Sequence, residues 1–135
     1  MTPPSFLSAS LSVASGGALG SWLRYLVGRA WTMALGPVAA SAFPWATLTV
    51  NVVGSFAMGL LVGWLARFGA HGEVWRLLIG VGVLGGFTTF SSFSMECVLL
   101  VERGAIGMAA LYLGVTLAAG LAGMFGGLLL MRAAA

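Results

Sequence analysis

The feature that most constrains the fold is a polar run at the centre of an apolar segment. The segment extends from Leu77 to Leu100, and its middle reads Gly85-Gly86-Phe87-Thr88-Thr89-Phe90-Ser91-Ser92-Phe93-Ser94. A segment of this length can span a bilayer, where each unsatisfied polar group is costly. The polar groups at its centre therefore need polar partners inside the protein.

The glycine pair and the hydroxyl residues predict that this helix breaks near its middle. Glycine does not hold a helix regular, and Ser and Thr hydroxyls can bond nearby carbonyls in competition with the helical ladder. Released carbonyls are tolerated where they line a polar cavity, and there they commonly bind cations. A kink whose hydroxyls are satisfied within their own helix is the alternative. The coincidence of glycines, hydroxyls and phenylalanines favours the break.

Composition places the chain among integral membrane proteins. Of its 135 residues 60% are hydrophobic and 7% are charged, and the mean hydropathy is +1.06. The basic residues do not cluster, so no nucleic-acid partner is expected. Cys97 and His71 are the only residues of their types, so one chain cannot assemble a disulfide or a Cys/His metal site.

The hydropathy pattern predicts an all-α membrane protein, with residues 1–135 forming a single domain of four transmembrane helices. Since about 20 apolar residues span a bilayer, the helices are predicted at about 6–31, 45–68, 74–101 and 105–131. Gly36, Pro37 and Pro44 predict a loop over 33–44, and a second, solvated loop is predicted over 67–76. The apolar run after Phe6 is too long for a signal peptide, so we expect it to be the first span.

The arginines divide evenly between the two sides of this topology. Arg67, Arg76 and Arg132 fall on the side of the N-terminus, and Arg24, Arg29 and Arg103 fall on the other. The positive-inside rule then has no orientation to enforce, so the chain is expected to insert both ways. Because four helices do not readily enclose a pathway alone, we expect an antiparallel, dual-topology homodimer whose two helix breaks meet at its axis.

Several polar residues outside the break leave alternatives open. Asn51, in an apolar run, is either interhelical glue or a ligand, and taken alone its type favours glue. Arg24 is either an interfacial anchor or an anion ligand, and its position favours the anchor. Glu96 either bonds neighbouring helices, which we prefer, or serves a permeation path. Gly16 and Gly20 form a GxxxG pair that permits close helix approach.

Taken together, three blocks of this sequence resemble the small bacterial fluoride channels called Fluc or CrcB. The blocks are Gly17-Ala18-Leu19-Gly20 leading to Arg24-Tyr25, then Thr47-Leu48-Thr49-Val50-Asn51-Val52-Val53-Gly54, and then Gly85 to Ser94 with Glu96. The resemblance covers nearly the whole chain. It implies a fluoride-selective channel of the bacterial inner membrane that exports fluoride by passive electrodiffusion, as an antiparallel homodimer with two pathways and a structural sodium ion on the central axis.

The resemblance also implies roles for eight residues. The backbone carbonyls of Gly85 and Thr88 would bind sodium, and Phe90 and Phe93 would provide aromatic fluoride sites. Asn51, Tyr112 and Thr116 would line the pathway, and Arg24 would lie near a vestibule. The chemistry is coherent, since a pore for strongly hydrated fluoride must replace water with amide, hydroxyl and ring-edge donors. Without that context, the spacing of Phe90 and Phe93 is typical of core packing.

Two other function classes fit part of the pattern. A small dual-topology multidrug/proton exporter would share the size and topology, but a proton-coupled carrier normally needs an embedded ionisable residue, and helix 1 contains no acid. A purely structural membrane protein would explain the glycine-rich faces but not the central polar cluster. An enzyme is not expected, because no embedded pair of nucleophile and base can be named.

Overall fold

The computed structural model describes residues 4–69 and 72–134, and the regular structure in these ranges is entirely helical. Part of the predicted N-terminal tail, residues 1–3, and His71 of the predicted second loop lie outside the described residues. The elements are α1 (Phe6–Ala42), α2 (Trp45–Phe68), α3 (Gly72–Trp75), a π-helical segment (Arg76–Leu84), α4 (Gly85–Phe87), α5 (Phe90–Glu102) and α6 (Ile106–Ala133).

Three stretches of the described chain are long and apolar enough to cross a membrane. They are Trp45–Arg67, Gly72–Glu102 and Ile106–Ala133. Helix α1 has 37 residues but is not one of the three, because serines, glycines and two arginines dilute its apolar residues. We call Gly72–Glu102, which joins α3, the π-helical segment, α4 and α5, the third span.

Helix α1 begins at Phe6 and continues beyond its predicted end at Trp31. The predicted loop over 33–44 is wrong, since the chain stays helical to Ala42 apart from Gly36, which has φ 78° and ψ 160°. Glycine adopts this positive φ without strain, and Pro37 can then occupy the first turn of a new helical stretch because its missing N–H needs no partner there. The Gly-Pro pair therefore produces a kink, and α1 ends only before Phe43.

The predicted interruption of the third span is present. Thr88 and Thr89 have extended backbones with ψ of 160° and 122°, and they separate α4 from α5. The π-helical turns that precede it were not predicted. There, the amide of Gly85 donates to the carbonyls of both Gly80 and Gly82.

Glycines let α1 pack backbone to backbone on the third span, as the GxxxG pair predicted. A Cβ added to Gly82 would lie 2.9 Å from the Cα of Gly16, and a Cβ on Gly20 would overlap the Val83 carbonyl. Because Gly16 meets residues 78–83 and Gly20 meets residues 83–87, the two helices run parallel.

Helix α2 packs in the same way on α6. Gly59 approaches Met124, and Gly63 approaches Leu128 and Met131, so these two helices also run parallel. Helix α2 is antiparallel to the third span, since Thr47 bonds Glu96 whereas Asn51 bonds Thr89. The break in the third span is thereby placed beside the N-terminal half of α2.

Candidate functional site: a cavity beside the helix break

The side chain of Asn51 binds the backbone at the break. Its Nδ2 donates to the Thr89 carbonyl over 3.1 Å, and the Thr89 amide donates to its Oδ1 over 2.8 Å. Asn51 is therefore interhelical glue, which is one of its two predicted roles. An amide nitrogen carries two N–H groups, so a second N–H remains for another acceptor. Both roles are compatible in this geometry.

The hydroxyls of the break cap the helix that follows it. The Thr89 hydroxyl accepts a bond from the Ser92 amide over 3.2 Å, which makes Thr89 the N-cap of α5. The same hydroxyl lies 3.3 Å from the Ser91 hydroxyl and 3.2 Å from the Ser92 hydroxyl. Thr88 bonds back to the Leu84 carbonyl over 2.8 Å. The hydroxyl run thus stabilises an open backbone.

These side-chain bonds draw amide donors away from two carbonyls. In a continuous helix the Gly85 carbonyl would accept from the Thr89 amide, but that amide donates to Asn51. The Thr88 carbonyl would accept from the Ser92 amide, which donates to the Thr89 hydroxyl. No group of three or more His, Cys, Asp or Glu side chains lies together within residues 4–69 and 72–134. The Gly85 and Thr88 carbonyls are thus left without the amide donors of a continuous helix.

A cavity of about 370 Å³ opens beside the break, between α2, the third span and α6. Its polar lining comes from Asn51, Ser55, Thr88, Thr89 and Thr116, and its other walls include Phe90, Phe93, Met58, Leu117, Gly120 and Met124. The Thr116 hydroxyl is buried and has no hydrogen-bond partner in the part of the chain that the structure describes. Thr116 thus belongs to the cavity wall and carries a hydroxyl that no group of the described chain binds.

The structure brings together four of the predicted pathway residues, Asn51, Phe90, Phe93 and Thr116, around this cavity. The two rings have centroids 5.9 Å apart but different surroundings. Phe93 is 6% exposed and packs on the Tyr112 ring at 5.2 Å, whereas Phe90 is 79% exposed. Core packing thus describes Phe93 only. Phe90 projects from the surface of the single chain.

Tyr112 faces away from the cavity, toward Glu96. The fully buried Tyr112 hydroxyl donates to Glu96 Oε2 over 2.7 Å, and the Thr47 hydroxyl donates to Glu96 Oε1 over 2.7 Å. Glu96 therefore joins α2 and α6 to the third span, as its preferred structural role predicted. Tyr112 and Thr116 share a face of α6, but only Thr116 lines the cavity.

A second cavity of about 320 Å³ has Glu96 in its lining. Its lining includes Arg29, Trp31, Trp45 and Glu96, and the two indole rings stack with centroids 5.6 Å apart. Arg24, which was predicted near a vestibule, is not among the residues that line it. Arg29 lines it instead, although the sequence indicated only the side of the membrane on which Arg29 falls.

Comparison with known proteins gives consistent matches over most of the chain. The family described as CrcB-like protein, Camphor Resistance (CrcB), matches residues 11–128. A fluoride-specific ion channel FluC from Novosphingobium aromaticivorans is 55% identical over 96% of this chain and 100% of its own. The protein of the same name from Rhodospirillum centenum is 53% identical over 92% and 95% of the two chains. That from Caulobacter vibrioides is 50% identical over 90% and 94%.

Proposed function

This chain belongs to the CrcB family of fluoride-specific ion channels, and we propose that it exports cytoplasmic fluoride across the bacterial inner membrane by passive electrodiffusion. Membership in a channel family means that the protein is not an enzyme. Its apolar helices agree with a place in the membrane. The observation that carries the proposal is the buried Thr116 hydroxyl, which has no partner within the described chain and belongs to a residue that lines the cavity beside the break.

The cavity offers the donors that fluoride needs when it leaves water. Fluoride is small and holds its hydration shell strongly, so a narrow path must supply N–H, O–H and positively polarised ring edges in its place. The free N–H of Asn51, the Thr116 hydroxyl and the rings of Phe90 and Phe93 supply these three kinds of donor. The lining contains no Arg or Lys, so no fixed charge would trap the ion.

We place two such pathways in an antiparallel homodimer. Each subunit crosses the membrane four times, and α1 adds one crossing to the three apolar stretches. Gly85 and Phe90 are exposed on the single chain, right at the break. A backbone carbonyl without its helical donor is unfavourable in lipid, because the bilayer core offers it no other donor. A second copy placed against this surface would cover both residues. The even arginine split supports insertion in both orientations.

We also propose that a structural sodium ion binds on the axis of this dimer. The Gly85 and Thr88 carbonyls fit that role, since the amides that would occupy them in a continuous helix bond to side chains instead. Oxygen atoms are the ligands that hard cations prefer. Bound there, sodium would supply a fixed positive charge that offsets the carbonyl dipoles.

Fluoride efflux from liposomes tests the channel function. Vesicles loaded with potassium fluoride and containing the purified protein should release fluoride, measured with a fluoride electrode, only after a potassium ionophore balances the charge. Vesicles loaded with chloride are the control for selectivity. Absence of fluoride release, or release that requires a proton gradient, would contradict the proposal and favour a proton-coupled carrier.

Thermal unfolding of the dimer tests the sodium ion independently of transport. Protein purified in sodium salts should unfold at a higher temperature than protein purified in the salt of a large organic cation, and adding sodium back should restore the difference. Identical unfolding in both salts, with no density for a cation in a high-resolution map, would refute the site.

A further inference from the structure

Ser55 is a hydroxyl residue of the cavity that the proposed pathway has not used. It lies one helical turn after Asn51 on α2 and lines the cavity together with Thr116. A serine within a membrane helix usually bonds the carbonyl four residues earlier, which satisfies its hydroxyl locally. Ser15, Thr49 and Ser94 do so here, with distances of 2.7, 2.8 and 2.9 Å.

Ser55 differs from these residues. Its hydroxyl makes no hydrogen bond within residues 4–69 and 72–134. No hydrogen bond within the described chain therefore explains why a polar residue stands at this position. The Thr116 hydroxyl also has no partner there, and both residues line the same cavity. Two unpartnered hydroxyls, carried on different helices by residues that line one space, indicate a shared acceptor that is absent from the polypeptide.

The position of Ser55 also compensates for a gap on α6. Helices α2 and α6 run parallel, and a Cβ added to Gly120, one turn after Thr116, would lie 3.6 Å from the Ser55 Oγ. At this level α6 has no side chain to offer, and α2 provides the hydroxyl. Beyond Ser55, the next turns contribute Met58 and Met124 to the cavity wall.

We propose that the Ser55 hydroxyl donates a hydrogen bond to fluoride and extends the row of donors one turn beyond Asn51 and Thr116. This inference rests on the proposed fluoride pathway and adds a hydrogen-bond donor to it. After leaving Thr116, an ion would next reach Ser55. Ser55 carries the last hydroxyl on this wall before Met58 and Met124. Serine suits this place because a small hydroxyl can rotate to follow the ion.

Ser55→Ala removes this donor and little else. We expect fluoride efflux to fall about tenfold, which corresponds to the loss of one hydrogen bond to a charged partner. The elution volume and unfolding temperature of the dimer should stay unchanged, because the Ser55 hydroxyl supports no bond within the chain. The matched control is Ser15→Ala, which removes a hydroxyl bonded to its own helix and should leave efflux at the parent level.

Gly120→Ser in the Ser55→Ala background supplies a hydroxyl at the same level from the opposite helix. The new Cβ has room, since its nearest neighbour would be the position vacated by the serine oxygen. Efflux should recover to within about twofold of the parent if a donor at this level is what fluoride requires. A purely structural role for Ser55 would not be rescued from another helix.

The outcomes separate the two proposals. Absence of fluoride efflux from the parent protein would overturn the channel function itself. If the parent conducts and Ser55→Ala conducts equally well, only the role of Ser55 is wrong. A folded double variant that stays as slow as Ser55→Ala, or a single variant that loses efflux together with thermal stability, would also overturn that role.

Discussion

The side-chain amide of Asn51 and the backbone of Thr89 form a reciprocal pair of hydrogen bonds, with N···O distances of 3.1 and 2.8 Å. One side chain on α2 thereby satisfies both the N–H and the C=O of a residue that the break removes from the helical ladder. The same side chain lines the cavity with its remaining N–H. Asn51 thus links the stability of the break to the chemistry of the proposed pathway.

Asn51→Asp should abolish fluoride efflux. The carboxylate can still accept from the Thr89 amide, but its second oxygen would face the Thr89 carbonyl and leave that carbonyl without a donor, at a cost of about 1–3 kcal/mol. Its negative charge would also repel fluoride. Liposome efflux and size-exclusion chromatography measure the two effects. A variant that elutes as the parent dimer and conducts like the parent would show that Asn51 lies outside the pathway.

Phe90→Ile and Phe93→Ile should both reduce efflux strongly, because isoleucine keeps apolar bulk but lacks a polarised ring edge. Their effects on stability should differ. Phe93 packs on Tyr112, and losing that ring contact costs about 1 kcal/mol, whereas Phe90 is largely exposed on the single chain. A Phe→Met change at either position should be milder, since a thioether is adaptable. Parent-like efflux from both isoleucine variants would show that the rings only pack.

Glu96→Gln should destabilise the protein more than it impairs transport. Two hydroxyls donate to the carboxylate, and the amide of glutamine would face one of them with N–H groups, at a cost of about 1–3 kcal/mol. The unfolding temperature should therefore fall, while efflux per folded dimer stays near the parent value. Tyr112→Phe, which removes one of the same donors, is the matched comparison. A large loss of efflux at unchanged stability would instead assign Glu96 to the permeation path.

Alanine substitutions at two adjacent glycines of α6 should have opposite effects on stability. A Cβ on Gly127 would overlap the Phe56 carbonyl on α2, and such overpacking costs about 1–3 kcal/mol or more. A Cβ on Gly126 would meet no described atom within 4 Å, so alanine there should stabilise the helix by about 0.5–1 kcal/mol. Unfolding of both variants in detergent shows whether each substitution raises or lowers the stability. Equal effects would show that the α2–α6 contact is looser than described.

Reporters fused to the C-terminus should signal from both sides of the membrane, because the arginines give no preferred orientation. Adding two or three lysines after Met131 should bias insertion and lower efflux. Co-expression with an oppositely biased copy should then restore it. Uniform labelling from one side in the parent protein would rule out an antiparallel dimer.

Local chemistry made the break predictable from sequence. Glycines next to Thr88 and Thr89 weaken the helix, and hydroxyls offer its backbone other partners, so the interruption depends on neighbours in the chain. The pair formed by Asn51 and Thr89 depends on two residues 38 positions apart. From residue type alone, glue and ligand remained open alternatives, and only the packing of α2 on the third span shows how one amide can serve both.

Other differences arise at residues whose type and spacing allow more than one structure. Gly36 and Pro37 are breakers in most contexts, yet their order allows a kink followed by a new helical turn. Phe90 and Phe93 are equivalent by spacing, but the ring of Tyr112 covers only one of them. Nothing in the sequence distinguishes Ser55, because a serine in such a helix normally bonds its own backbone.

The interruption at Thr88 and Thr89 also has an electrostatic consequence. A helix carries partial negative charge at its C-terminal end and partial positive charge at its N-terminal end. The end of α4 and the start of α5 therefore place both signs within a few residues of each other, without an ionisable side chain at the break itself. Peptide dipoles have no proton to gain or lose near neutral pH. The attraction of the helix break for ions of either sign is therefore independent of pH.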